Sequence, residues 1–552
     1  MGLLLAILKL YMNCYLTRAK TSIIIGLLWA VMPALPYRMQ NSESVDYGVI
    51  AAIRQEELDH FQAFNHVVWL ADIYGPRVTG TPGFKDAGDW TMKKFREWGL
   101  ANVHKEYFPF GYGWSLTHFD AHLIEPRYQP LIGYPKVWTP GTGKPVEGDV
   151  VRVDIKSEAD FQKYKGKLGG KIVLTQPARP VDMLTGIVVE RWTPELLKES
   201  ETTPLAGPSG GPPRSDTLLA KTQQFFEEEG VVCVLDRGID ALTVHGDNQM
   251  SWLTQRTDGG TIFVTSGGSK DKPNGGRLVP EVTLAVEHYN RLTRILDHKI
   301  PVRVALNIES KFYAEDKAQP NASNVIAEIP GSDLAGEQVL LGAHLDSWQS
   351  ATGATDNGAG VAVMMESVRI LKAIGAKPRR TIRVALWGGE EEGELGSKAY
   401  VKEHLIDDST KAPKPEYQNL SAYYNLDNGT GRIRGIWLQE NLADMPIFKL
   451  WFQAFTDLGV PGTIAPRSVS GSDYQSFDDV GIPAFQFMQD RLEYNSRTHH
   501  SNMDVVDRIQ KEDLTQMVIV VASFAYDTAM RAEKLPRKST VLGGVTVSAA
   551  AR

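Results

Sequence analysis

Cysteine is nearly missing from this sequence. Cys14 and Cys233 are the only two in 552 residues, and Cys14 falls in an N-terminal segment that reads as an export signal. A processed chain would keep one thiol and could close no internal disulfide. Its stability must come from packing, with bound metal as the other source. Cys233 lies in the apolar run VVCVLD and reads as inert core. A basic block is missing too. The formal net charge is −7, without the clustered Lys and Arg that nucleic-acid binders present to phosphates, so no nucleic-acid partner is expected. Nor does the N-terminus offer the about 20 apolar residues that a comfortable membrane span needs. Its apolar run, Ser22–Leu35, is shorter and stands behind Arg18 and Lys20. A basic stretch followed by a short apolar one reads as a secretory signal over residues 1–40, with an uncleaved N-terminal anchor as the alternative. The expected location is secreted or periplasmic, and membrane contact is expected only if that segment is retained.

What remains has ordinary globular composition, 42% hydrophobic and 23% charged. Its length suits two or three domains at about 100–200 residues each. Residues 45–129 start with helical spacing at Phe61, Phe64, Val68 and Leu70, then the Gly/Pro-rich turn YGPRVTGTPG, then a predicted helix over Phe84–Trp98. Residues 130–300 change character. Short β-like runs (DVVRVD, KIVLTQ, GVVCVLD, TIFVT) alternate with loops rich in Gly, Pro, Ser and Thr, which predicts a separate, mainly β module. The segment 301–535 alternates strands and helices from Asn324 onward. Runs such as NVIAEIP, VLLGAH, TIRVALWG, SAYYNLD and PAFQFM are strand-like, and helices are predicted over Gly358–Ile374, Ser397–His404, Met445–Leu458 and Lys511–Arg531. That alternation predicts a three-layer α/β/α domain with a mostly parallel sheet. Ligands of such sheets bind outside the carboxyl ends of the strands. Residues 536–552 are expected to form a disordered tail.

The candidates for chemistry stand where that rule directs. VLLGAHLDS ends in His344-Leu345-Asp346, a spacing that lets both side chains address one face beyond the strand. A zinc-binding histidine commonly has its second nitrogen held by a carboxylate. Asp356 follows inside GATDNGAG, whose glycines allow a tight turn into a cavity, although an aspartate there also suits a helix N-cap. TIRVALWGG ends in Glu390-Glu391-Glu392. Three adjacent carboxylates repel one another and cost desolvation unless a cation offsets them. A solvated charge run is the bland alternative, and the interior-type strand before them (Ile382, Val384, Leu386) argues against it. SAYYNLDN delivers Asp427, and RTHHSNMD offers His499 and His500. Each residue is ambiguous alone. Together they supply enough nitrogen and oxygen donors for two zinc ions with one shared carboxylate.

In the order GAHLDS, GATDNGAG, LWGGEEEGELGS, NLDN, GSDYQSFDDVGIPA and THHSNMD, these pieces resemble the M28 family of metallopeptidases, which includes aminopeptidases and carboxypeptidase Q. The resemblance covers about Asn324–Glu533 and the stretch from GPRVTGTPG to NVHKEYF, and the 130–300 insert resembles a protease-associated (PA) domain. It implies two zinc ions per chain. His344 and Asp427 would bind the first, Glu391 and His500 the second, and Asp356 would bridge both. Glu390 would be the general base and Asp346 the supporting acid behind His344. The register set by the downstream G-x-L-G-S leaves Glu392 outside the site, and the H-x-x-x-D spacing to Asp504 selects His500 over His499. The chain departs from the family in two places. Tyr474 follows Ser472-Asp473 where relatives often carry histidine, and His499 stands where several carry a tyrosine that could stabilise an oxyanion. Tyr474 and His499 are therefore the candidate substrate or oxyanion contacts.

The implied function is exopeptidase action on peptides or dipeptides, with room for a homodimer. A glutaminyl cyclase shares the fold but uses one metal, and a peptidase-like ectodomain that only binds ligands would have lost a ligand or the base. An aminopeptidase needs acids for the substrate ammonium, and a carboxypeptidase or dipeptidase needs a cation for the carboxylate. Arg467, Arg491 and Arg497 are the cations near the site in sequence.

Overall fold

The computed structural model describes residues 43–203, 216–238, 243–245, 253–316, 320–542 and 545–547. The signal or anchor expected over 1–40 lies outside them. No helix among the described residues is long and apolar enough to cross a membrane.

Two eight-stranded sheets organise the chain from Val45 onward. The first runs in the order Ala101–Phe108, Ala322–Ile329, Arg380–Trp387, Leu334–His344, Leu420–Asn425, Ala484–Gln489, Ile433–Trp437, Thr463–Ala465. Its central four strands are parallel, and antiparallel partners flank them on both sides. The apolar runs have a simple cause. Val339, Leu341 and Ala343 join Ile382, Val384, Leu386, Ala422 and Tyr424 in one core, whereas Leu340, Ala385, Trp387 and Tyr423 belong to the core on the opposite face. Strands buried on both faces have no side on which to place polar residues. The first face is covered by the helices Tyr47–His60, Ala63–Val68, Pro82–Glu97, Ala359–Ala373 and Lys511–Met530, and the second by Leu395–Tyr400 and Tyr474–Asp478. The result is the expected α/β/α layering.

Ile433–Trp437 and Thr463–Ala465 were not foreseen. They are short, and Arg434 and Gly435 interrupt the first, so neither stands out as an apolar run.

The second sheet runs Gln129–Pro130, Gly113–Glu125, Arg303–Tyr313, Val146–Arg152, Ile172–Leu174, Cys233–Asp236, Glu281–Leu284, Gly133–Pro135. It extends past both ends of the expected 130–300 insert, because Gly113–Glu125 and Arg303–Tyr313 pair antiparallel along their lengths. Its inner strands from Val146 to Leu284 are parallel, with the helix Asp216–Glu229 in the connection from Ile172–Leu174 to Cys233–Asp236, as a parallel connection requires. Cys233 is buried in this sheet, and burial pushes its thiol far above the usual range.

The disordered tail expected over 536–552 needs correction at residues 536–542 and 545–547; its other residues lie outside the described ones. Arg537 donates to the Tyr417 and Leu420 carbonyls at 2.7 and 2.6 Å, and Lys538 pairs with Asp478 at 2.6 Å. Thr540–Leu542 and Val545–Val547 then form a hairpin. Charged side chains that look solvated in sequence are here used to pin the chain.

Two substitutions test this packing. Phe524 is fully buried among the rings of Phe448, Trp451, Phe452 and Phe487 at 4.8–5.6 Å. Phe524→Ala should cost about 3–5 kcal/mol, read as a lower urea midpoint. Burial, with Glu366 alongside, pushes the Glu57 carboxyl up to about 9 from 4.5. Stability from this proton is fully present below the unfolded value and is lost as pH rises toward the folded one. Glu57→Gln should therefore melt near wild type at about pH 5 and above it at about pH 8–9 by thermal unfolding.

Candidate metal centre

The carboxyl ends of the parallel strands bring the candidate residues together. His344 closes the strand Leu334–His344, Glu390 and Glu391 follow Arg380–Trp387 across Gly388 and Gly389, and Asp427 lies just beyond Leu420–Asn425. Asp356 comes from the turn Ala354–Gly358, which feeds the helix Ala359–Ala373. Two glycines make this turn feasible. Gly353 has φ 68°, and a Cβ there would lie 2.3 Å from Ser347 Cβ; a Cβ on Gly360 would lie 2.4 Å from the Leu426 carbonyl. His500 sits in the loop after Ala484–Gln489 at φ 57°, an uncommon conformation for a non-glycine residue.

His344 Nε2 lies 3.2 Å from Asp356 Oδ1 and 3.3 Å from Asp427 Oδ1. His500 Nε2 lies 2.9 Å from Glu391 Oε2 and 3.5 Å from Asp356 Oδ2. Asp356 therefore faces the two histidines with different oxygens. Donor atoms of His344, Asp356 and Asp427 fall within 4.8 Å of one another, as do those of Asp356, His499 and His500. Imidazole nitrogen with carboxylate oxygen is a donor set suited to a divalent transition ion. Asp356 Oδ2 and Glu391 Oε1 are buried without hydrogen-bond partners, as expected of atoms that await cations.

Electrostatics say the same. Burial pushes the Glu390 and Glu391 carboxyls well above the carboxylate range. Asp427 and Asp473 add to this at Glu390, Asp356 and Asp346 add to it at Glu391, and His344 opposes it at both. Burial also works against a charged Asp356, yet the His344 hydrogen bond, with His499 and His500 beside it, holds it below its usual range. His344 is raised despite burial by Asp427, Asp346 and Asp356. So many acids in a low-dielectric space are tolerable only with protons or cations among them.

Three residues hold the ligand-bearing loops. His344 Nδ1 is 3.1 Å from the Asp346 carbonyl, and the Asp346 carboxylate accepts the backbone N–H groups of Glu390 and Glu391 at 3.3 Å each. Asp346 thus joins two strand ends. Asp504 accepts the N–H of Thr355 at 2.5 Å and of Asp356 at 3.2 Å, which explains its place after the histidine pair. Arg77 is fully buried and donates to the carbonyls of Leu345, Leu70, Thr352 and Gly353 at 2.7–2.8 Å. Sequence reasoning read its segment only as a turn; a buried arginine spent on backbone carbonyls leaves no spacing signature.

A cavity of about 570 Å³ opens onto Asp356, Glu390, Glu391, Asp427, His499 and His500. Tyr474 lines it as well, and so does Tyr494, which the sequence reading missed and whose ring stacks on His499 at 4.6 Å. Burial, with His500 next to it, pushes His499 well below its usual range, so its ring is neutral near pH 7. Glu392 stays out of the cavity lining, and its buried carboxyl sits against Asp346 and Thr79. Of the three arginines near the site in sequence, Arg491 alone lines the cavity. Arg467 stacks on Trp437 at 5.0 Å, and Arg497 pairs with Glu493 at 2.5 Å. Arg256, from the region of the second sheet, reaches the cavity unforeseen.

The sequence model of peptidase family M28 matches residues 324–525, the stretch that supplies all of these candidate ligands. Residues 324–525 belong to family M28. Human carboxypeptidase Q is 23% identical over 481 residues, covering 86% of this chain and 87% of that protein. The crystal structure of a peptidase M28 precursor from Shewanella amazonensis is 25% identical with a TM-score of 0.62, covering 89% of this chain and 98% of that one. A zinc aminopeptidase from Bacillus subtilis shares the fold at 18% identity and a TM-score of 0.50, covering 85% of this chain and 95% of that one. The protein is a metallo-exopeptidase, a hydrolase of peptide bonds.

In this M28 site, Asp346→Ala should free the Glu390–Glu391 backbone N–H groups and remove the carboxylate that stands 3.7 Å from His344 Nδ1. Metal affinity should fall by about 10- to 100-fold, measured by competition with a chelator.

Proposed function

We propose that the chain is an exported zinc exopeptidase that removes one terminal residue at a time, or splits dipeptides, at two co-catalytic zinc ions. The observation that carries this reading is the Asp356 carboxylate, one oxygen toward His344 and the other toward His500. His344 and Asp427 would hold one ion, Glu391 and His500 the other, and Asp356 both. His499 also reaches Asp356, at 3.9 Å, but only His500 meets Glu391, which favours His500 as the ligand. Bound zinc would supply Lewis-acid polarisation of the scissile carbonyl and a more acidic water.

Glu390 lines the same cavity and belongs to neither donor set. In this reading it takes the proton of the attacking water and returns it to the leaving amine. Its raised affinity for a proton suits a group that must hold one between two steps. Neutral His499 and the hydroxyls of Tyr474 and Tyr494 would donate to the developing oxyanion. The region of the second sheet would act as a PA-like roof: in the connection between Cys233–Asp236 and Glu281–Leu284, Phe263 pairs with Ser501, and Val264 donates to the His500 carbonyl at 3.1 Å. A roof so close to the ligands would admit chain ends and exclude internal segments. Export rests on the reading of residues 1–40.

Glu390→Gln should keep its zinc and lose turnover by about 10²–10⁴. His344→Ala and Asp356→Ala should lose zinc itself, seen by elemental analysis. Near-normal turnover of Glu390→Gln would remove the base assignment, and a wild-type content near one zinc per chain would favour the single-metal cyclase reading.

A further inference from the structure

The charges around the cavity bear on which end of a peptide is recognised. The acids that line it are Asp356, Glu390, Glu391 and Asp427. In the exopeptidase reading, on which this inference rests, all four are committed to metal or to proton transfer. Among the described lining residues no further carboxylate is left for a substrate ammonium. Two guanidinium groups line the same space, those of Arg256 and Arg491. Arg491 has Glu190 at 3.9 Å. Arg256 lies over the ring of Phe263, 4.1 Å from its centroid, and its Nη1 is buried without a hydrogen-bond partner.

A guanidinium stacked on a ring is held flat while its in-plane N–H groups stay available, and that fork matches a carboxylate. A buried donor without an acceptor costs free energy that a ligand can recover. The support is also built. Arg256 follows the strand Leu253–Gln255, Thr257 donates to the Ser496 carbonyl at 2.8 Å, and Val264 donates to the His500 carbonyl at 3.1 Å. This segment is thus fastened at two points after Arg256, the first at the very next residue, to the loop that carries His499 and His500. The Arg256 charge is close enough to act on both rings, where it adds to burial in lowering their proton affinity.

We propose that Arg256 binds the free α-carboxylate of the substrate, so that the enzyme takes peptides whose C-terminal residue adjoins the scissile bond, as a carboxypeptidase or dipeptidase. Arg256 lies outside the 324–525 stretch matched by the family model, so the preference comes from the second-sheet region and not from the metal ligands.

The test compares kcat/KM of the zinc-loaded full chain on a dipeptide, its C-terminal amide, its N-acetyl form, and the amide of a dipeptide ending in glutamate. The free acid should exceed its amide by about ten- to a hundredfold, mainly through KM, as for one charge-assisted hydrogen-bonded pair. N-acetylation should matter less. The glutamate amide should stay as poor as the plain amide, which separates an α-carboxylate from a side-chain one. Arg256→Met should shrink the acid-to-amide ratio toward one, and Arg256→Lys should restore part of it, with zinc content and melting temperature recorded for each. Equal wild-type rates on acid and amide, or an unchanged ratio in Arg256→Met, would overturn the inference and leave the peptidase reading intact. If no substrate is cleaved in a Glu390-dependent way, the peptidase reading itself falls.

Discussion

Negative charge crowded into a space with little water shapes this molecule. Asp356, Glu390, Glu391 and Asp427 share one cavity, and Asp346 and Asp473 lie just behind it. Carboxylates this close raise one another's proton affinity, and burial amplifies the effect. The fold keeps the oxygens facing inward by fastening the backbone behind them. Asp346 takes the N–H groups of the glutamate turn, Asp504 those of the aspartate turn, and Arg77 ties four carbonyls beneath both. The loops that carry the acids are thus tied from behind by hydrogen bonds, as a preorganised site requires.

The two sheets divide the work by position. The first places each acid or histidine at or just beyond a strand end, so small errors in strand register would scatter the set. The second provides no metal donor among the described residues, yet the connection between its strands Cys233–Asp236 and Glu281–Leu284 reaches the cavity with Arg256 and rests on the histidine loop. Carboxypeptidase Q from human and a solved M28 precursor align with the chain across both regions, covering 86% and 89% of it. The fold shared with the solved precursor therefore spans both regions.

Much of this was legible in the sequence, for a physical reason. Strands buried on both faces write themselves as solid apolar runs, and a charged residue at the end of such a run is conspicuous; His344, Glu390 and Asp427 were readable in that way. Asp356 was readable because glycines flank it. Arg77, Tyr494 and Arg256 were not, because their significance lies in contacts with residues hundreds of positions away or in another sheet. The outer strands Gly113–Glu125 and Arg303–Tyr313 escaped the insert because their half-buried faces mix polar and apolar residues. The charged end of the chain resembled a solvated tail, although Arg537 and Lys538 use their hydrogen bonds to dock it.

The bond from Val264 to the His500 carbonyl has a mechanical consequence. That carbonyl belongs to the same residue whose imidazole faces Asp356 and Glu391, so along this rim the Val264 segment is bonded to the residue that carries a candidate donor. A lid hinged there could not lift without dragging the imidazole with it. Gly393 and the Ser470–Ser472 stretch line the same cavity, and movement there would leave that imidazole where it is.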